Sequence, residues 1–367
     1  MNPLRLIVAA GLLLSGLDIQ VAQAAPIEHV IHISVDGLHP AAIPALISQG
    51  QSEGQNLLPN FSRLRTQGAF TDNARTDPEV AYTLPNHASQ LTGRHISGDA
   101  GHGWALNEDP GDPWTLHLSK ALQTRQISYI ASVFDIVHDN GLSTALYANF
   151  GGFRIFDRSW NDRSGARDLL PPDNGRDKLD TFFADDDMAT VASAFVNDVA
   201  LRNYTYAFLH VKEPDLTGHA ATWDLTPGSL YLEAVKAVDV VLGMIFKLVD
   251  EDPELAGRTA IILTTDHSGE LWTTFHVLLP PIFVSSGIVP FYVWGPGVTA
   301  GADLYALNPA TRANPGGDIP SASASLQPIR NGDAANLALD LVGLPPVPGS
   351  SSNRAQDLSV SDVIRAN

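Results

Sequence analysis

At 367 residues the chain is long enough for two domains by length alone, but one large α/β sheet accommodates it and a single folded domain is the default. Hydrophobic residues at 44% and charged residues at 17% exclude a largely disordered chain. Forty acidic against 22 basic residues give a net charge of −18, which excludes non-specific binding to nucleic-acid polymers or anionic membranes, so an anionic ligand needs local positive charge such as bound divalent cations.

The chain opens with Arg5, an apolar run through Leu14, and Ala22-Gln23-Ala24 ahead of Ala25 and Pro26. That pattern predicts a secretory signal over residues 1–25 and a periplasmic or secreted mature protein. Asp18 and Gln20 interrupt the run, leaving it short of the roughly 20 apolar residues a bilayer span needs, and no later segment reads as a span. Cysteine is absent, which removes disulfides, a thiolate metal site and a cysteine nucleophile.

The first mature strand is Val30 to Val35, ending abruptly at Asp36 and Gly37. In a parallel α/β sheet the carboxyl edge is where ligands bind, although an ordinary Asp-Gly turn explains the pair equally well. Residues 40–47 and 59–67, each opened by proline, read as scaffold helices. Thr83-Leu84-Pro85-Asn86-His87 follows, and its proline suits a first helical turn, placing Thr83 at a helix N-terminus that attracts phosphate. A threonine hydroxyl is a poor nucleophile unless a base or a metal ion activates it, and read alone this one is a helix cap. Further on, His102 to Asn107 forms a loop in which the Asn107 amide can hold a phosphoryl oxygen.

Residues 128–133 and 143–147 read as strands, and 153–187 as an irregular surface excursion in which Asp185, Asp186 and Asp187 start a helix. The strand Tyr206 to Val211 is followed by Asp215 and His219, four residues apart and able to share a zinc or manganese ion. Thr226-Pro227 opens a helix whose stripe of Tyr231, Val235, Val238, Leu242, Ile245 and Val249 is core packing. The strand Thr259 to Thr265 is the third to finish in an acid, with Asp266 and His267, and another strand runs over 291–294. No internal repeat is present, and residues 350–367 read as a polar tail behind a folded domain over 26–349.

Asp36 with Gly37, Thr83 in Thr-Leu-Pro-Asn-His, His102 to Asn107, Asp215 with His219, and Asp266 with His267 together form an ordered set. It resembles the alkaline phosphatase superfamily and, within it, the type I phosphodiesterase/nucleotide pyrophosphatase family. The resemblance implies an α/β, alkaline-phosphatase-like three-layer sandwich with a mostly parallel central sheet and helices on both faces. It implies two zinc ions, or other divalent metals such as manganese, at the carboxyl edge. Asp36, Thr83, Asp266 and His267 would serve one ion, and Asp215, His219 and a further histidine the other. Only His276 remains downstream for that last place, with a packed core histidine as the alternative.

The implied reaction is a two-step displacement through a phosphorylated or nucleotidylated Thr83, with Asn107 and the ions on the nonbridging oxygens of a small phosphorylated substrate. Asn86 and His87 are assigned to structure around the helix start. No arginine flanks Thr83, which favours a monoanionic diester over a monoester dianion unless Arg75 or Arg94 folds inward. The alternatives are a phosphomonoesterase or phosphonate hydrolase on the same fold, and a secreted binding protein without turnover. The second is motivated by the apolar residues that follow Asp266-His267.

Overall fold

A computed structural model describes residues 27–126, 128–171, 174–276 and 284–362. The expected signal segment and residues 277–283 lie outside the described residues. Among the described residues, eight strands form one sheet: β1 (His29–Val35), β2 (Ala69–Arg75), β3 (Thr144–Ala148), β4 (Thr181–Ala184), β5 (Tyr206–Val211), β6 (Thr259–Thr264), β7 (Ile288–Trp294) and β8 (Ala302–Asp303). Their order is β4-β3-β5-β1-β6-β7-β2-β8. Every pairing is parallel except the two made by β7, so the expected mostly parallel sheet is present.

The central strands are buried along their whole length, as a parallel sheet covered on both faces requires. Their side chains alternate between two cores. Val30, Tyr206, Phe208, Ala260 and Ile262 face one core, shared with helices Thr83–Thr92, Val133–Asp139 and Asp333–Leu341. Ile31, Ile33, Val35, Ala207, Leu209, Ile261 and Leu263 face the other, shared with helices Ala42–Glu53, Met188–Arg202 and Leu230–Glu251. The stripe from Tyr231 to Val249 is buried on that side, as its spacing predicts. The result is the three-layer sandwich, and β1 lies at its centre. Among the described residues no helix is long and apolar enough to cross a membrane.

Several sequence expectations are corrected. Residues 128–132 are not a strand: Ser132 caps the helix Val133–Asp139 in a capping box with Asp135, and the Ile130 carbonyl accepts from Trp160 Nε1. The apolar run there is a buried loop. The long helix starts at Leu230 behind a Ser229 cap, and Thr226-Pro227 lies in the preceding turn. The excursion over 153–187 holds the helix Arg154–Trp160 and the edge strand β4, while Asp187 caps the helix Met188–Arg202. Residues 350–362 are not a loose tail. Leu358 and Val360 are buried, the Val360 carbonyl accepts from Thr299 N (3.0 Å), and the Ser359 carbonyl accepts from Asn308 Nδ2 (2.7 Å).

Candidate active site

The ends of β1, β5 and β6 lie side by side, and each delivers an acid to the same edge. Asp36 follows β1, and Gly37 turns the chain with φ +66°. A Cβ at Gly37 would stand 2.7 Å from Asp215 Cα, so the glycine permits the close approach of the two acids. Asp215 N donates to Asp36 O at 3.1 Å. The Gly37 carbonyl accepts from Trp223 Nε1 (2.9 Å) and Tyr231 Oη (2.8 Å), which holds the turn from the helical side. At the end of β6, Asn331 Nδ2 donates to the carbonyls of Thr265 (3.2 Å) and Asp266 (3.1 Å).

Thr83 is the first residue of the helix Thr83–Thr92 and is almost fully buried. Asn86 Oδ1 accepts from Asp77 N, and its Nδ2 donates to the carbonyls of Val80 and Tyr82, tying down the approach to the helix. His87 Nδ1 donates to the Thr83 carbonyl and its Nε2 accepts from Ser34 Oγ, each at 2.8 Å. Asn107 Oδ1 accepts from Leu84 N at 3.1 Å, leaving Nδ2 as the end of the amide suited to a phosphoryl oxygen.

His267 Nε2 is the common point. It lies 3.3 Å from Asp36 Oδ1, 3.2 Å from Asp266 Oδ2, 3.8 Å from Asp215 Oδ1 and 3.4 Å from Thr83 Oγ1. His276 Nε2 is 3.8 Å from Asp215 Oδ1, and His219 Nε2 is 3.5 Å from the same atom. The structure therefore brings together Asp36, Thr83, Asp215, His219, Asp266, His267 and His276, with Asn107 at the start of the Thr83 helix.

Three histidines share one bonding pattern. Nδ1 donates to a backbone carbonyl in His267 (Ser268, 3.0 Å), His276 (Ala81, 2.7 Å) and His219 (Thr274, 2.7 Å). That fixes the tautomer in which Nε2 carries the free lone pair, the form that ligates a metal. Facing these nitrogens, Asp36 Oδ1, Asp215 Oδ1 and Asp266 Oδ2 are buried and make no hydrogen bond. Burial, with the neighbouring Asp266 and Asp215 charges, pushes the Asp36 carboxyl well above its ordinary range; burial and Asp266 do the same to Asp215. Burial holds His267 down to about 3 and His276 down to about 2, so both imidazoles are neutral and supply no countercharge. Crowded carboxylate oxygens opposite neutral imidazole nitrogens fit a bound cation. Among the described residues, two groups have ligand atoms close enough to hold one: Asp36, Asp266 and His267, and Asp215, His267 and His276.

Sequence reasoning missed His210, which is fully buried with Nε2 3.2 Å from Asp36 Oδ2. A histidine inside an otherwise apolar strand was the available signal. It also missed Asn331, whose contacts to the β6 end are made across the fold. Arg75 and Arg94 do not serve the site: Arg75 donates to the carbonyls of Asn73, Ala74, Gly316 and Asp318, and Arg94 to those of Ala100 and Pro348.

The fold is of the alkaline phosphatase type. The sequence pattern of the type I phosphodiesterase/nucleotide pyrophosphatase family matches residues 30–272, and the chain belongs to that family, which supports a phosphoester hydrolase. The matched stretch ends four residues before His276. No curated protein matches the chain. Among solved structures, it is similar to murine ectonucleotide pyrophosphatase/phosphodiesterase 5, in an inactive threonine-to-alanine form bound to AMP. That match has 14% identity and a TM-score of 0.57, over 90% of this chain and 99% of that one. The lipoteichoic acid synthase of Listeria monocytogenes matches at 13% identity and a TM-score of 0.55, over 91% and 76% of the two chains. A protein of the alkaline phosphatase superfamily from Vibrio parahaemolyticus matches at 12% identity and 0.53, over 91% and 71%. At these identities the likeness is one of fold.

Proposed function

We propose that the chain is an exported, zinc-dependent phosphodiesterase that acts through Thr83. The observation that carries this reading is the pattern at His267, His276 and His219, whose Nε2 atoms are freed by backbone bonds and meet three unbonded carboxylate oxygens. Asp36, Asp266, His267 and Thr83 would hold one ion, and Asp215, His219 and His276 a second; nitrogen and oxygen donors suit zinc, with manganese as a substitute. When bound, such ions supply positive charge that favours the Thr83 alkoxide and neutralises the phosphoryl oxygens.

The chain's own groups do the remaining work. Thr83 sits at a helix N-terminus, so the oxygen that attacks and the phosphoryl group it approaches both lie where the macrodipole favours negative charge. Asn107 Nδ2 donates to a nonbridging oxygen as charge develops there. Attack by Thr83 Oγ1 forms an oxygen–phosphorus bond and expels the alcohol or nucleotide; water then cleaves the phosphorylated threonine and restores the hydroxyl. With Arg75 and Arg94 engaged elsewhere, a monoanionic diester suits the site better than a dianion. The inactive threonine-to-alanine form of the murine relative, bound to AMP, supports a threonine at the centre of the chemistry and a small phosphorylated ligand. Residues 1–25 would be the export signal.

The test is hydrolysis of bis(p-nitrophenyl) phosphate against p-nitrophenyl phosphate by the zinc-reconstituted protein, with Thr83→Ala alongside. Faster diester cleavage that disappears in the variant is the expected result. Diester cleavage that survives Thr83→Ala removes the nucleophile, and preference for the monoester removes the substrate class.

A further inference from the structure

Large apolar side chains stand in solvent next to the site's own residues. Leu106 precedes Asn107, Leu216 follows Asp215, and Leu271, Trp272 and Phe275 lie between His267 and His276. Their exposures are 42% for Leu106, 59% for Leu216, 45% for Leu271, 65% for Trp272 and 66% for Phe275, whereas Asp266 and His267 are fully buried. Tyr82, half-buried, precedes Thr83 and meets the His276 ring edge-on at 6.2 Å between centroids. Single exposed apolar residues are ordinary, but a set gathered at the flanks of one site is not.

The segment carrying three of them is held in place. Glu270 is buried and accepts from Ser285 Oγ and from Ser286 N (3.3 Å). Phe275 N donates to Thr273 Oγ1 at 3.2 Å, and the Thr274 carbonyl receives His219 Nδ1 at 2.7 Å. That last bond ties the segment to the helix Glu213–Ala221, on which Leu216 stands one turn before His219. Neither stretch, nor 79–87, nor 102–107, contains a lysine or arginine. These four stretches thus offer apolar surface and no side-chain cation for a second phosphate.

We infer that Tyr82, Leu106, Leu216, Leu271, Trp272 and Phe275 form an apolar rim that selects phosphodiesters carrying a large apolar ester group, alkyl or aryl, over those carrying a sugar or further phosphates. The inference rests on the reading of the chain as a phosphodiesterase. Burial of each added methylene against this rim tightens binding, and the gain grows with the length of the ester group.

The experiment uses methyl, butyl, octyl and phenyl p-nitrophenyl phosphate and the p-nitrophenyl ester of thymidine 5′-phosphate, all below micelle-forming concentrations, with the zinc-loaded protein. Partial burial predicts a rise in kcat/KM of about twofold per methylene, on the order of 100-fold from methyl to octyl. Trp272→Ala combined with Phe275→Ala brings the octyl-to-methyl ratio towards one, and Trp272→Phe keeps most of it. In parallel, calorimetry compares methyl octyl phosphate with dimethyl phosphate on Thr83→Ala protein, where the octyl ester binds more tightly. Octyl ahead of phenyl identifies an alkyl ester, and phenyl ahead of octyl an aryl one; both support the rim. A flat chain-length series with equal binding of the two phosphates overturns it, as does a thymidine ester faster than every alkyl and aryl ester. Turnover of no ester, with the octyl preference kept in binding, removes the hydrolase reading and leaves the rim standing.

Discussion

The imidazoles of His267 and His276 stack at 3.6 Å between centroids and 15° from parallel, and both Nε2 atoms lie 3.8 Å from Asp215 Oδ1. The chain between them leaves the site and returns to it. His276→Ala is therefore expected to lower metal affinity by roughly tenfold or more, since even outer-sphere changes at metal sites cost that much. On the proposed two-ion reading, metal content measured after dialysis should drop from two ions per chain towards one. Unchanged stoichiometry would make His276 a packing residue.

Gly37→Ala is expected to destabilise the protein by about 2 kcal/mol or more. The added Cβ meets Asp215 Cα, and φ of +66° disfavours any side chain. Denaturant unfolding measures the loss, and the variant should also retain metal poorly, because the collision falls between two of the acids. A variant as stable as the parent would show that the turn relaxes freely.

His210 acts on the site through Asp36. Its Nε2–H donates to Asp36 Oδ2 and keeps Oδ1 turned towards His267. His210→Phe should reduce metal affinity about 10- to 100-fold, while His210→Gln, which can still donate, recovers much of it. A competition titration with a chromogenic chelator reads this directly. Equal affinities in both variants would mean that the backbone alone orients Asp36.

Chelation should destabilise the protein, by about 4 kcal/mol where the ion had been present at about a thousand times its dissociation constant. The sign of the pH effect follows from the raised carboxyls. Asp36 and Asp215 hold protons above the ordinary carboxylate range in the metal-free fold, so an ion must displace them. Metal affinity should rise with pH through that range and level off once both are ionised. Affinity that falls with rising pH would contradict the assignment.

His102, near Asp77, makes an acid-sensitive contact. Trp104 N donates to its Nδ1 at 3.0 Å, and its Nε2 meets Ser89 Oγ at 3.2 Å. Burial holds its pKa down to about 3, against 6.5 unfolded, and protonating Nδ1 would set it against the Trp104 amide. The stability it contributes is complete above pH 6.5 and is lost as pH falls towards about 3. Between pH 6.5 and 4 the melting temperature of His102→Asn should fall less steeply than that of the parent. Parallel curves would remove His102 as a source of acid sensitivity.

The strand-end acids were legible because an apolar run broken by Asp-Gly or Asp-His marks the carboxyl edge of a buried strand. Two such breaks, at Asp36-Gly37 and Asp266-His267, with Thr83 and then Asp215 and His219 between them in order, carried both the fold class and the family. The roles of His210, marked only as a histidine in an apolar strand, and of Asn331 arise from pairings between distant segments: Ser34 stands opposite His210, and Asn331 reaches the β6 end. The polar look of 350–367 concealed Leu358 and Val360, two apolar residues in alternation that a strand-like stretch needs only once each to anchor itself. In 128–133 the Ser132–Asp135 capping box was present, but the apolar residues ahead of it were read as a strand.

β1 pairs Val30 with Tyr206 on one side and Ala260 on the other. Both neighbours are made only after more than half of the chain has left the ribosome. A nascent chain that has just completed the Thr83 helix has one acid and a hydroxyl, and nothing that grips an ion. Closing the sheet around β1 brings the candidate ligands together, so on the proposed reading ion capture and the last, long-range step of folding become a single cooperative event. Either half of the polypeptide made alone should emerge without it.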